Sequence, residues 1–198
     1  MNLRQRSWIS GRKDCGCPKL GKTCSQSSQS PCTNINTSVL CPESCGEGCE
    51  NQNLPRAFTS LVVKEAPGKG RGVFARTKIT SGKFITHYEG ETIPISKATK
   101  RAETSAYVLR LSDRALDAQD TGNVSRYFNH ACEPTLETRE IAKDNLNMLI
   151  FEANQTINAG DELTFNYGFK FEDCKCQACQ NPKISAQDDV LRTLKTGV

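Results

Sequence analysis

Residues 122–134 read GNVSRYFNHACEP, and from Arg126 to Pro134 an arginine, two aromatics, an asparagine, a histidine, a cysteine and a proline share nine positions. The question is what chemistry needs them together, and the rest of the chain bounds the answer. At 198 residues and 36% hydrophobic the chain can bury one core of ordinary size with a small satellite region. It has no run of about 18 apolar residues, and the opening MNLRQRSWIS is basic without an apolar stretch of signal-peptide length, so a soluble intracellular protein with no membrane contact is expected. The net charge of +4 is uneven, because residues 1–22 carry six basic side chains against Asp14. A basic arm on a near-neutral body fits weak contact with nucleic acid, and equally a solvated tail.

Eleven cysteines are the loudest compositional signal. In a reducing compartment they point to metal ligation, with disulfides or scattered free thiols as the alternative. Cys15, Cys17, Cys24, Cys32, Cys41, Cys45 and Cys49 fill a polar segment too poor in apolar residues to fold around a core of its own. Structural zinc takes four tetrahedral ligands, so seven thiolates serve two ions if one sulfur bridges them. Cys174, Cys176 and Cys179 leave a third site one ligand short, and Cys132 is the cysteine left over. That arithmetic expects three ions, with Cys132 tying the end of the chain to the opening stretch.

Between the clusters the chain alternates short β-branched and aromatic runs with turns: LVV, GVFA, KFITHY, AYVLRL, NMLIFEA and ELTFNY. A mainly β body is expected, with a short helix over 185–195, SAQDDVLRTLK, closing the chain. Phe165 and Tyr167 alternate as residues on one face of a strand would. GKGRG lacks the strand, spacing and helix of a dinucleotide fingerprint and reads by itself as a turn. No internal repeat is found, and only two histidines and no Ser-His-Asp arrangement occur.

Four ordered motifs carry a resemblance: GKGRGVFA (68–75), YEGE (88–91), LDAQDTGNVSRYFNHACEP (116–134) and GDELTFNYG (160–168). Together they resemble the signatures of the SET-domain protein lysine methyltransferases. The flanking cysteine clusters are similar to that family's Associated-With-SET or pre-SET region and its post-SET region. The resemblance implies small twisted β-sheets with a pseudoknot at NHAC, and five segments: a basic arm (1–14), a zinc-cysteine region (15–56), the SET domain (57–168), a post-SET zinc region (169–183) and a tail (184–198). It implies S-adenosylmethionine as cofactor, contacted by Lys69, Gly70, Arg71, His87, Tyr88, Asn129 and His130. Tyr107 and Tyr167 would line a lysine channel, with Tyr167 orienting the amine and Phe165 setting how many methyls are added, here two or three.

The implied substrate is a histone tail or nucleosome, histone H3 foremost, and the implied location the nucleus and its chromosomes, with the protein a monomer. A non-histone protein lysine and a catalytically silent binding module stay open as alternatives. The chain departs from the family pattern at Ala131, Thr135, Asn166 and Asn51–Asn53, and in its tighter C-x-C-x-x-C.

Overall fold

The computed structural model describes residues 40, 41, 45, 49, 51, 52, 54–143, 146–168 and 172–180. The basic arm, Cys15, Cys17, Cys24, Cys32, Asn53 and the helix expected over 185–195 lie outside the described residues. In chain order the described elements are β1 (Leu61–Ala66), β2 (Gly70–Ala75), β3 (Phe84–His87), β4 (Glu91–Ile93), α1 (Ile95–Ala102), β5 (Val108–Arg110), β6 (Ala115–Asp117), a 3-10 turn (Val124–Tyr127), β7 (Asn129–His130), β8 (Leu136–Lys143), β9 (Leu146–Ala153), β10 (Glu162–Phe165) and α2 (Gln177–Gln180). The fold is mainly β, as expected. Among the described residues no helix is long and apolar enough to cross a membrane.

The chain alternates between two compact units. The first holds the described residues up to Phe58 with Phe84–Arg126 and Thr138–Glu152; the second holds Thr59–Lys83, Tyr127–Glu137 and the described residues from Ala153 onward. In the first unit β3, β9 and β8 form one sheet, and β4, β6 and β5 a second. Leu40, Phe84, Ile141 and Ile150 pack beneath the former, joined by Leu54 and Met148. Ile93, Ala98 and Ala115 pack at the latter with Val108. In the second unit the sheet order is β1-β2-β10-β7. Its hairpin turns at Gly68 and Gly70, whose φ of 72° and 76° suit only a residue without Cβ. The last pair, β10 with β7, is parallel and registers Thr164 on Asn129 and Phe165 on His130.

Each of the six expected runs contributes a strand, with two differences that matter for function. Tyr107 sits in the turn before β5, and Tyr167 lies beyond the end of β10 rather than on its face. β8 was hidden in the sequence because Glu137, Thr138 and Arg139 are exposed at the sheet edge, leaving Leu136 and Ile141 as its buried positions. α1 buries only Ala98, so its apolar face is too thin to read; Lys100 and Arg101 in its last turn suit the helix dipole.

Asp117 holds α1 to β6. Its carboxylate is 1% exposed and accepts from Ser105 Oγ (2.6 Å), the Gln119 N–H (2.9 Å) and Arg101 Nε. Burial disfavours the charge, but the bonds from Ser105, Arg101 and Gln119 outweigh it and hold the carboxyl below its ordinary value. A depressed carboxyl stabilises the fold above its unfolded pKa, and the contribution is lost as pH falls through the lower folded value. Asp117→Ala therefore destabilises the fold by about 2–3 kcal/mol in urea titration, because the buried Ser105 hydroxyl, the Gln119 N–H and Arg101 all lose their carboxylate acceptor. Asp117→Asn flattens the acid limb of the stability profile below about pH 4.

Candidate functional site

The opening stretch works in two halves. In the first unit, Gly122 lies so close to its neighbours that a Cβ would sit 2.8 Å from Ala118 Cβ and 3.1 Å from the Glu89 carbonyl. Asn123 Oδ1 accepts from Ser125 N–H (2.9 Å) and Oγ (2.6 Å), capping the 3-10 turn. Its Nδ2 donates to the His87 carbonyl (2.8 Å) and Thr86 Oγ1 (3.2 Å), pinning the end of β3. The buried Tyr88 donates its hydroxyl to the Tyr107 carbonyl at 2.8 Å, and the Arg126 guanidinium stacks 4.2 Å over the Tyr107 ring. His87 Nε2 lies 3.0 Å from Glu89 Oε1. Thus the first unit gathers His87, Tyr88 and Tyr107 around one turn.

In the second unit Asn129 Nδ2 bridges the Arg71 carbonyl (3.0 Å) and Glu162 Oε1 (2.8 Å), while Lys69 Nζ pairs with the other carboxylate oxygen of Glu162. Arg71 lies 5.8 Å over the Tyr127 ring. A Cβ on Gly72 would meet Glu162 Oε1 at 2.6 Å and Asn129 Nδ2 at 3.0 Å, so the missing side chain is what lets this polar cluster assemble. Lys69 and Glu162 keep 18% of their side-chain surface exposed, enough to meet a ligand.

Tyr167 belongs to the same unit. Tyr167 donates its hydroxyl proton to the Phe128 carbonyl (2.8 Å) and its N–H to His130 Nδ1 (3.2 Å). Its ring centroid lies 4.7 Å from Phe165 and 5.4 Å from His130, the latter edge-on at 72°. With its proton donated to Phe128, the phenol oxygen can take part in a further hydrogen bond only by accepting. Tyr167 is 37% exposed, whereas Phe128 and Phe165 are buried. Burial first, and the Lys69 charge second, push the His130 imidazole below its ordinary pKa, so it is neutral at pH 7.

The sulfurs of Cys132, Cys174, Cys176 and Cys179 all lie within 4.8 Å of one another. Tetrahedral zinc with bonds of about 2.3 Å places its sulfurs about 3.8 Å apart. Cys132 Sγ stands 3.9 Å from Cys174 Sγ and 3.5 Å from Cys179 Sγ, and the seven described cysteines form no disulfide. Burial opposes ionisation of Cys176, but backbone hydrogen bonds at Cys132 and Cys179 and the neighbouring thiols bring it down to about 6. Cys179, against Cys132 and then Cys176 and Cys174, is pushed up to about 12. Four thiolates this close need a cation among them, so the donor set fits a divalent metal. Cys41, Cys45 and Cys49 form a second group, with Asn51 Nδ2 donating to Cys41 Sγ at 3.3 Å.

The SET-domain family model matches residues 70–168, half of the chain. The chain belongs to the SET-domain family. This SET-domain chain is similar to histone-lysine N-methyltransferase ASHH1 of Arabidopsis thaliana, 34% identical over 155 residues that cover 71% of this chain and 31% of the relative. It is also similar to the H3 lysine-36 specific histone-lysine N-methyltransferase of Aspergillus fumigatus, 32% identical over 171 residues, 78% of this chain and 18% of that one. Histone-lysine N-methyltransferase SUV39H2 of Homo sapiens is 33% identical over 141 residues, 64% and 34% of the two chains. The chain spans less than half the length of these curated relatives.

Three residues of the SET domain's site escaped the sequence reading. Glu162 lies inside the quoted GDELTFNYG, where an acidic residue starting a strand beside GKGRG was the available signal. Asn123 was signalled by its place before a turn. Phe128 acts through its carbonyl oxygen, which no side-chain pattern reveals.

Proposed function

We propose that this chain is a protein-lysine N-methyltransferase that moves methyl groups from S-adenosylmethionine to a lysine in the tail of histone H3, acting at chromatin in the nucleus. The observation that carries the reading is Tyr167, whose hydroxyl donates to the Phe128 carbonyl and whose N–H donates to His130 Nδ1, in the same unit as the Lys69–Glu162–Asn129 cluster. A cofactor bearing an ammonium, a carboxylate and a sulfonium suits a cluster that offers one cation, one anion and one amide. When bound, it supplies a methyl group on a positively charged sulfur.

The chain's own work is to receive and orient the amine. A free lysine with pKa about 10.4 is neutral in only about one molecule in a few thousand at pH 7. Apolar surface such as Phe165 disfavours the ammonium by desolvation, so the proton leaves to water before transfer. Tyr167 then accepts from an amine N–H and aims the nitrogen lone pair, and holding the partners in line accounts for much of the acceleration. Lys69, Gly70, Arg71, Asn129 and His130 of the second unit, and His87 and Tyr88 of the first, are the proposed cofactor contacts. Three zinc ions are proposed, two on the N-terminal seven cysteines and one on the four that include Cys132. The proposed segments remain the arm (1–14), cysteine region (15–56), SET domain (57–168), post-SET region (169–183) and tail (184–198), in a monomer whose basic arm adds weak nucleic-acid contact.

Incubation with radiolabelled S-adenosylmethionine and either nucleosomes, core histones or a histone-free protein extract tests the reading. Label on histone H3 is expected. Label confined to the extract would move the substrate off histones, and cofactor binding with no label anywhere would make the chain a binding module.

Phe165 is proposed to set the number of methyls. Its ring packs 4.7 Å from Tyr167, where a hydroxyl would hold a water molecule in the space a methylated amine needs. The unmodified chain is expected to reach di- or trimethyl product, and Phe165→Tyr to stall at monomethyl with the first transfer largely retained. Mass spectrometry of a peptide substrate at long reaction times reads this; a monomethyl ceiling in the unmodified chain removes the assignment.

A further inference from the structure

We infer that His130 is a positioning residue whose two ring nitrogens join the four-cysteine centre to Tyr167, so that a loaded metal site fixes the tyrosine's place; the role of that tyrosine rests on the methyltransferase reading above. The geometry leaves one tautomer. The Tyr167 backbone N–H can only donate, so His130 Nδ1, 3.2 Å away, must be bare. The ring proton therefore sits on Nε2, which lies 3.4 Å from Cys132 Sγ. The opposite tautomer would set two N–H groups against each other across the Tyr167 contact. His130 is 8% exposed, so bulk water is a poor substitute for either partner.

Each bond has a consequence at its own end. An N–H donated to a metal-bound sulfur disperses the thiolate's charge and fixes its orientation, the kind of outer partner whose loss typically weakens metal binding about 10–100-fold. A metal-bound thiolate is in turn a stronger acceptor than a thiol, so loading the site holds the ring more firmly. At the other end the β10–β7 ladder finishes at Phe165 on His130, with Ala131 N–H donating to the Phe165 carbonyl at 3.1 Å. Tyr167 stands two residues further on, where the His130 side chain and the Phe128 carbonyl take over from the ladder. The imidazole thus spans from a sulfur to the backbone that carries the tyrosine.

Two substitutions separate the ends. In His130→Asn the amide oxygen reaches roughly where Nδ1 was and can accept from Tyr167, but nothing donates to Cys132. In His130→Gln the amide NH2 reaches roughly where Nε2 was and donates to Cys132, but the acceptor for Tyr167 is gone. Zinc release to a chelator should quicken about ten-fold in His130→Asn and stay near the unmodified rate in His130→Gln. The Tyr167 amide resonance should move more in His130→Gln, whose kcat should fall further than that of His130→Asn.

In unmodified 15N-labelled protein the ring proton should appear on Nε2, and stripping the zinc should shift both the ring and Tyr167 resonances. A proton on Nδ1, or equal zinc release and equal Tyr167 shifts in the two variants, overturns the link. Retention of zinc by Cys41, Cys45 and Cys49 in each variant checks that the chain has folded. If the unmodified chain transfers no methyl, the methyltransferase reading fails, while zinc release and the resonances still decide the link.

Discussion

Tyr167→Phe lowers kcat by about 10²-fold or more while leaving S-adenosylmethionine affinity close to that of the unmodified chain. The hydroxyl has two jobs in the structure, and the substitution removes both. Its proton bonds the Phe128 carbonyl, and its oxygen, on a ring whose centroid lies 4.7 Å from that of Phe165, is the proposed acceptor for the amine. Losing the first removes one hydrogen bond, worth about 0.5–1.5 kcal/mol of stability. Losing the second removes the acceptor that orients the amine, an interaction that matters most as the methyl moves, so the loss appears in kcat. Asn129→Ala is expected to do the reverse, because Asn129 ties the Arg71 carbonyl to Glu162 and belongs to the cofactor cluster. Calorimetric affinities with single-turnover rates separate the two effects. Equal loss of affinity in both variants would show that Tyr167 and Asn129 have been given the wrong roles.

Cys132→Ser takes one zinc ion from the protein and most of the methyl transfer with it. The unmodified chain is expected to hold close to three ions by elemental analysis and the variant close to two. Cys132 alone among the four ligands comes from the β7 segment; Cys174, Cys176 and Cys179 come from the short stretch around α2. Its sulfur is thus what joins that stretch to the segment bearing Asn129 and His130. Structural zinc contributes about 10–16 kcal/mol to small zinc-dependent peptides, so residues 172–180 should lose protection from proteolysis when the ligand is cut. An unmodified chain with about two ions would mean that the C-x-C-x-x-C site stays empty. A variant that keeps three would mean that Cys132 is not a ligand.

The two halves of GNVSRYFNHACEP differ in how they can be read. Asn123 before Ser125 is a local signal, because a short polar side chain ahead of a turn bonds backbone two residues on, and the structure has that bond. The spacing of Cys174, Cys176 and Cys179 is likewise local. Counting ligands set Cys132 beside them, and the fold brings the same four sulfurs within 4.8 Å. The other strands were visible because short β-branched and aromatic runs bounded by turns are also written into neighbouring positions. β8 and α1 were not, since one is exposed over its middle and the other buries a single alanine.

By itself the sequence determined the mainly β class, the ligand types and the motif order that mark the family. Only the tertiary structure decided which atoms of those motifs are already taken. Tyr167 and Phe128 are 39 residues apart, and Tyr167 and His130 are 37 apart. Their bonds depend on the parallel register of β7 on β10, not on any local period. A one-residue slip in that register would turn the His130 side chain to the opposite face. Hydrogen bonds have direction, and a residue name does not say which lone pair faces inward. That the Tyr167 hydroxyl donates to the Phe128 carbonyl, and that the Tyr167 N–H meets His130 Nδ1, follows from the direction of bonds made across the fold.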